Sequence, residues 1–97
     1  MAAYVIANLQ VHDQATFARY GEQVAPIIAA RGGRYLVCGG DVTPAEGDAG
    51  LRRVVIVEFP NMVTARAFYG CDEYAPLLAL RVSASTGTVA FVEGLLA

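Results

Sequence analysis

Two hydrophobic periodicities succeed one another along the 97-residue chain, and their order is the feature that most constrains the fold. Residues 4–11 alternate between apolar and mixed positions, with the period of two that is typical of a half-buried strand. From Phe17 the apolar residues follow a helical spacing, and Gly32-Gly33 supplies a left-handed stop. The remaining predicted elements are two strands, a pair of helices and a last strand, at 34–38, 53–59, 61–69, 72–81 and 88–93.

We interpret this order as a single α+β domain over residues 1–97, with the arrangement β-α-β-β-α-β. Each helical segment connects two strands of one sheet, and such connections are nearly always right-handed. Two connections of the same hand place all helices on one face of a four-stranded sheet. The opposite face stays uncovered. Most of its predicted residues are apolar: Ile6, Asn8, Leu36, Val54, Ile56, Glu58, Ala90 and Val92.

Composition supports a partner for that open face. Charged residues make up 16% of the chain, against roughly 25% in an average soluble domain, and the mean hydropathy is +0.45. An apolar sheet face left in water loses about 25 cal/mol for each Å² that it fails to bury. We therefore expect a homodimer in which two open faces meet and enclose a cavity between the subunits.

Several classes of function are disfavoured by what the chain lacks. A net charge of −2 offers no basic field for a nucleic acid, and apolar runs such as Val54–Val57 are far shorter than the roughly 20 residues of a membrane span. The chain has no lysine for a Schiff base and a single histidine, so we expect neither a metal nor a bound cofactor. Two isolated cysteines and the lack of a leader pattern predict a cytoplasmic protein.

An RNA-recognition domain shares this order of elements and is a third hypothesis. That function needs aromatic residues on the open sheet face and basic surroundings. The chain is acidic and offers Val54 and Ile56 at the equivalent positions. The pattern therefore favours a small-molecule ligand over RNA.

Several segments resemble the family catalogued as domain of unknown function 1330. They are Tyr4-Val5-Ile6-Ala7, Gly32 to Val37 before Gly39-Gly40, Val55 to Pro60 ending in Glu-Phe-Pro, Phe68-Tyr69, Glu73-Tyr74, Arg81 and Val92-Glu93-Gly94. The resemblance implies a ferredoxin-like fold with a four-stranded antiparallel sheet, in the dimeric α/β-barrel superfamily. That superfamily includes cofactor-free monooxygenases, isomerases, haem enzymes and proteins without known activity. Cys38 stands where such sequences often have an arginine. We therefore assign to this chain no function that would need a pair of arginines on that strand.

Asn8, Arg34 and Glu58 interrupt strands at positions predicted to face the cavity between subunits. In a catalytic interpretation, Glu58 is a general base with a raised pKa, Arg34 anchors an anion and Asn8 is an orienting donor. In a structural interpretation, Arg34 and Glu58 form an ion pair that fixes the strand register or the dimer. The sequence leaves both interpretations open.

Five further side chains are candidates for binding a ligand: Tyr35, Cys38, Tyr69, Tyr74 and Arg81. The tyrosines offer hydroxyl groups, although aromatic residues at such spacings are also typical of a core. Cys38 is either a thiol activated by a nearby arginine or a small buried hydrophobe. Arg81 either reaches the rim of a cavity or makes a contact at a helix end.

Two functions are consistent with these candidate residues. The first is a cofactor-independent enzyme that acts on a small, partly apolar metabolite in the cavity. The alternative is a small-molecule binding or sensing module without chemistry.

Overall fold

A computed structural model of the chain describes residues 1–95, so the last two residues of the predicted domain 1–97 lie outside the described part. The elements are β1 (Ala3–Val11), α1 (Gln14–Ala30), β2 (Arg34–Cys38), β3 (Arg53–Phe59), α2 (Met62–Tyr69), α3 (Ala75–Ala84) and β4 (Ser85–Glu93). The strands form one antiparallel sheet in the order β2-β3-β1-β4. This confirms the predicted α+β, ferredoxin-like fold.

The first helix begins and ends at the residues that the sequence marks. Asp13 caps α1, because its carboxylate accepts a hydrogen bond from the backbone NH of Thr16 at 3.1 Å. After α1 the chain reverses at Gly32, whose φ of +82° is costly for other residues. At Gly33 a Cβ atom would lie 2.7 Å from the Ile28 side chain and 2.8 Å from the Phe59 ring, so only glycine allows this close approach.

Alternation along the strands sorts residues onto two faces of the sheet. Ala3, Val5, Ala7 and Leu9 of β1 are buried under the helices. The aromatic residues of the core pack there, with ring centroids 5.3 Å apart for Phe59–Phe68 and 4.8 Å apart for Phe68–Tyr74. On the other face, Ile6 lies opposite Ile56 of β3 and Ala90 of β4. No described helix packs on that open face, as the sequence predicts.

The edge strand β2 departs from the regular alternation that we expected. Its pairing with β3 shifts between Tyr35 and Val37, so Leu36 is the extra residue of a β-bulge. Val37, and not Leu36, is therefore the residue in register with Ile56 of the open face. The bulge turns Cys38 towards the helix side, in register with Val55.

Two element boundaries differ from the sequence-based predictions. Asp72 does not cap α3, because residues 71–74 form a turn in which the Tyr74 NH donates to the Cys71 carbonyl at 3.1 Å. The helix starts at Ala75, with Pro76 in its first turn, where a proline is tolerated. Strand β4 begins at Ser85, three residues before the predicted start at Thr88.

The segment between β2 and β3 is an exposed excursion from the sheet. All residues from Gly40 to Arg52 are exposed and form no strand or helix. Within residues 1–95, no helix has both the length and the apolar character needed to cross a membrane.

Candidate functional site

An apolar pocket lies between the sheet and the helices, inside one subunit. Its cavity volume is about 80 Å³, several times the roughly 10–15 Å³ that one water molecule needs. The walls come from β1, β2, β3 and β4 below and from all three helices above. No aspartate or glutamate lines it.

The structure brings all five predicted ligand-binding residues to this pocket: Tyr35, Cys38, Tyr69, Tyr74 and Arg81. Tyr35 and Cys38 both face it because of the bulge at Leu36, since regular alternation would turn one of them to the open face. Both are exposed, so β2 forms the open side of the pocket. This pocket is formed within one chain and is distinct from the cavity that we predicted between two open faces.

The three predicted catalytic residues lie on the opposite face of the sheet. Arg34 and Glu58 are brought together, with the Nε of Arg34 2.7 Å from the Oε1 of Glu58. Asn8 is not part of that pair. It lies opposite Val54, four residues along β1 from Tyr4, which is the partner of Glu58.

The electrostatics of Glu58 differ from those of the predicted general base. The hydrogen bond from Arg34 lowers the pKa of Glu58 below its ordinary value. A second donor, the hydroxyl of Tyr4, lies 3.2 Å from Oε2. The predicted raised pKa is therefore wrong for the chain as described, because both donors stabilise the charged carboxylate.

Asn8 holds the exposed excursion against β1. Its side-chain NH₂ donates to the carbonyl of Gly50 at 3.2 Å, and its side-chain oxygen accepts from the backbone NH of Arg52 at 2.8 Å. Both hydrogen-bonding ends of the amide are thus used within the chain. This geometry is that of a tether for the segment entering β3.

Tyrosine hydroxyls and one guanidinium supply polar groups to the pocket. The hydroxyls of Tyr20 and Tyr74 are 2.9 Å apart, and the Nη2 of Arg81 lies 3.4 Å from the hydroxyl of Tyr69. Burial raises the pKa of Tyr20, and partial burial beside the pocket raises the pKa of Tyr35 to about 12. These two hydroxyls are therefore neutral near pH 7 and can both donate and accept hydrogen bonds.

Arg81 is a buried cation without an acidic partner in the described part of the chain. Its exposed fraction is 8%. The two ion pairs found within residues 1–95 are Arg31–Glu73 and Arg34–Glu58, and neither includes Arg81. A charge at this depth is normally paired.

Among the pocket residues that the sequence did not single out as site candidates are Tyr20, Gly21 and Arg53. Tyr20 was assigned only to the apolar stripe of α1. Arg53 shares the period-two pattern of Val55 and Val57, a signal that places a cation on the helix side of β3. Its Nε is buried without a hydrogen-bond partner, and its guanidinium lies 5.1 Å from the centre of the Phe17 ring.

Gly21 lies in the middle of α1 and faces the pocket. A Cβ atom at this position would meet nothing within 4 Å. Glycine costs about 0.5–1 kcal/mol relative to alanine inside a helix, so the packing within this chain does not explain it. A glycine in the interior of a helix, about one turn from Phe17 and from Val24 of the apolar stripe, is the sequence signal that could have revealed this position.

Metal ligands do not cluster in the described structure. Nowhere in residues 1–95 do three or more His, Cys, Asp or Glu side chains come together in a way that could hold a metal ion.

The fold and the pocket define a ferredoxin-like α+β domain with an apolar cavity between sheet and helices. Residues 2–95 match the family described as "Domain of unknown function (DUF1330)". The chain belongs to this family, which confirms the resemblance seen in its sequence. A search of the curated proteins gives no significant match.

Solved structures with the same fold include two proteins from different bacteria. The RPA0582 protein of unknown function from Rhodopseudomonas palustris aligns with a TM-score of 0.77 and 15% identity, over 99% of this chain and 84% of that one. SnoaB from Streptomyces nogalater, described as a cofactor-independent oxygenase, aligns with a TM-score of 0.70 and 15% identity, over 99% of this chain and 95% of that one. At such identities the likeness establishes the fold alone.

Proposed function

We propose that this domain binds a small, partly apolar metabolite in the pocket between sheet and helices, without a resident cofactor. The observation that carries the proposal is an apolar pocket into which a few polar groups converge, which is the usual form of a small-molecule site. Tyr20, Tyr74 and Arg81 supply those groups, and Gly21 leaves room beside them.

Cofactor-independent transformation of the ligand is the second candidate function. The observation that favours it is the pair of hydroxyls of Tyr20 and Tyr74, 2.9 Å apart and in the same pocket as Arg81. Such a pair can relay a proton to or from a bound molecule. The fold of SnoaB, a cofactor-independent oxygenase, is compatible with this chemistry but does not assign it.

The proposal includes a homodimer formed through the open face of the sheet. That face and the pocket lie on opposite sides of the same strands. Association would therefore cover the apolar open face and leave the mouth of the pocket at β2 accessible from the helix side.

A thermal-shift screen of small aromatic and aliphatic compounds, followed by mass spectrometry of the bound species, tests the binding proposal. Gly21→Leu fills the space in the pocket, and we expect it to weaken binding of a hit about tenfold or more, because overpacking costs about 1–3 kcal/mol. Ala18→Leu, on an exposed position of the same helix, is the matched control and should retain binding.

Product formation separates the two candidates, since a binding module returns the ligand unchanged. The proposal fails if every hit binds Gly21→Leu as tightly as the wild type. If Glu58→Gln abolished binding while Gly21→Leu had no effect, the binding site would lie on the open face of the sheet.

A further inference from the structure

The charge balance of the pocket identifies the class of ligand. Two arginines, Arg53 and Arg81, line the pocket, and no acidic side chain does. A guanidinium remains charged in a protein. The pocket is therefore an electropositive, largely apolar site.

The groups in contact with the guanidinium of Arg81 are neutral, although a buried charge is normally paired with an opposite one. Its Nη2 lies 3.4 Å from the hydroxyl of Tyr69, a long distance for a hydrogen bond. The hydroxyls of Tyr20 and Tyr74, which also line the pocket, lie 2.9 Å apart, and the Tyr74 hydroxyl is a further neutral hydrogen-bond partner of Arg81. The fork of Arg81 therefore has donor capacity for a further acceptor.

Arg53 repeats the pattern on the other wall. Its Nε is buried and has no hydrogen-bond partner among the described residues. The Phe17 ring, 5.1 Å from the guanidinium, provides a cation–π contact but no hydrogen-bond acceptor oxygen. Two independent cations thus face the same apolar space without an acid.

The acidic side chain of the open face does not reach the pocket. This residue, Glu58, is bonded to Arg34 and lies on the side of the sheet away from Arg53 and Arg81.

We propose that the ligand is a planar monoanion, a carboxylate or a phenolate on an apolar body, and that its charged oxygens bind Arg81 with Arg53 nearby. This inference rests on the proposed function and names its ligand class. Arg forks match the two oxygens of a carboxylate. The apolar body lies against Val24, Val57 and the space at Gly21.

Matched charged and neutral probes test the inference by calorimetry. We expect benzoate to bind about ten- to a hundredfold more tightly than its neutral isostere benzamide, because hydrogen bonds to a charged group are the stronger ones. A second arm uses 4-nitrophenol, whose ionisation changes its absorbance. Binding as the phenolate makes the bound form more ionised than the free form at the same pH.

The preference for the anion should depend on Arg81. In Arg81→Gln we expect benzoate and benzamide to bind about equally and nitrophenol to lose its added ionisation. Arg19→Gln, an exposed arginine of α1, changes the net charge equally and should keep the preference. If Arg81→Gln does not fold, Arg81→Lys replaces it, and we expect the benzoate preference to fall but remain, because the charge persists without the planar fork.

An Arg81-dependent preference for the ionised probe in either arm supports the inference. Its absence in both arms overturns it, whether the probes bind equally or not at all. The proposed function is judged separately, because binding of benzamide or of any neutral hit that Gly21→Leu abolishes would still support a small-molecule site.

Discussion

The carboxylate of Glu58 has two donors on the open face, the Nε of Arg34 at 2.7 Å and the hydroxyl of Tyr4 at 3.2 Å. Arg34 is the main cause of the lowered pKa of Glu58. A carboxyl group whose pKa falls on folding adds stability that is present above its unfolded pKa. That stability is lost as the pH falls through the folded pKa.

Glu58→Gln removes this pH-dependent contribution. We expect the variant to be less stable than the wild type near pH 7. Below the ordinary glutamate pKa of about 4.3 the difference should shrink, because the wild-type carboxylate is then protonated too. Urea unfolding from pH 7 into the acid range measures it, with Glu22→Gln on the exposed face of α1 as control. A difference that stays constant or grows towards acid pH would contradict the assignment.

At the scale of elements, the excursion from Gly40 to Arg52 depends on one side chain of β1. The Asn8 amide bonds both the Gly50 carbonyl and the Arg52 NH, and the Asp48 carboxylate accepts from the Gly50 NH at 2.8 Å. Hydrogen bonds thus fix the backbone before β3 at Gly50 and at Arg52. The rest of the segment is exposed and lacks regular structure.

Asn8→Ala should release this end of the excursion. We expect trypsin to cut after Arg52 several times faster, and the free energy of unfolding to fall by about 1 kcal/mol, the typical net value of a hydrogen bond. Limited proteolysis with mass spectrometry measures the cleavage. Gln10→Ala, two residues along the same face of β1, is the control. Equal cleavage of both variants and the wild type would show that Asn8 is not the tether.

The elements themselves could largely be predicted from local chemistry. The bounds of β2 and β3 match the structure because flanking glycines mark β2 and a run of β-branched residues marks β3. The bulge at Leu36 could not be predicted, because a five-residue strand is too short to reveal one irregular step. The start of α3 was misplaced because Asp72 is a good capping residue that the 71–74 turn leaves outside the helix.

At the scale of the whole molecule, one side of the sheet has no cover within the described residues. Ile6 and Ile56 face one another at its centre, and exposed Val92 and Ala90 continue the apolar surface along β4. The apolar area on this side is a driving force for association.

We expect the wild type to sediment as a dimer at micromolar concentration. Ala90→Glu, at an exposed position of the open face, should shift it to the monomer, because a dry interface does not accept an unpaired carboxylate. Val63→Glu, at a position on α2 that is 79% exposed, introduces the same charge elsewhere and should leave the dimer intact. A wild-type monomer that takes up no hydrophobic dye would contradict the proposed association.

The site was harder to predict than the fold because it depends on which face of the sheet holds the cavity. The sequence identified Tyr35, Tyr69, Tyr74 and Arg81 as binding candidates, and they meet in the pocket. It also placed the catalytic candidates in a cavity on the open face, because polar residues there interrupt apolar strands. The pocket on the helix side opens beside β2. Local periodicity does not reveal that opening, so it could not show that the pocket lies on this face of the sheet and not on the open face.

Successive residues of β3 serve two different environments. Arg53, Val55 and Val57 line the pocket, whereas Val54, Ile56 and Glu58 lie on the other side of the sheet. Neighbouring residues of β3 are therefore subject to different structural constraints. Substitutions at every second position of β3 can therefore reshape the pocket without altering the open face of the sheet.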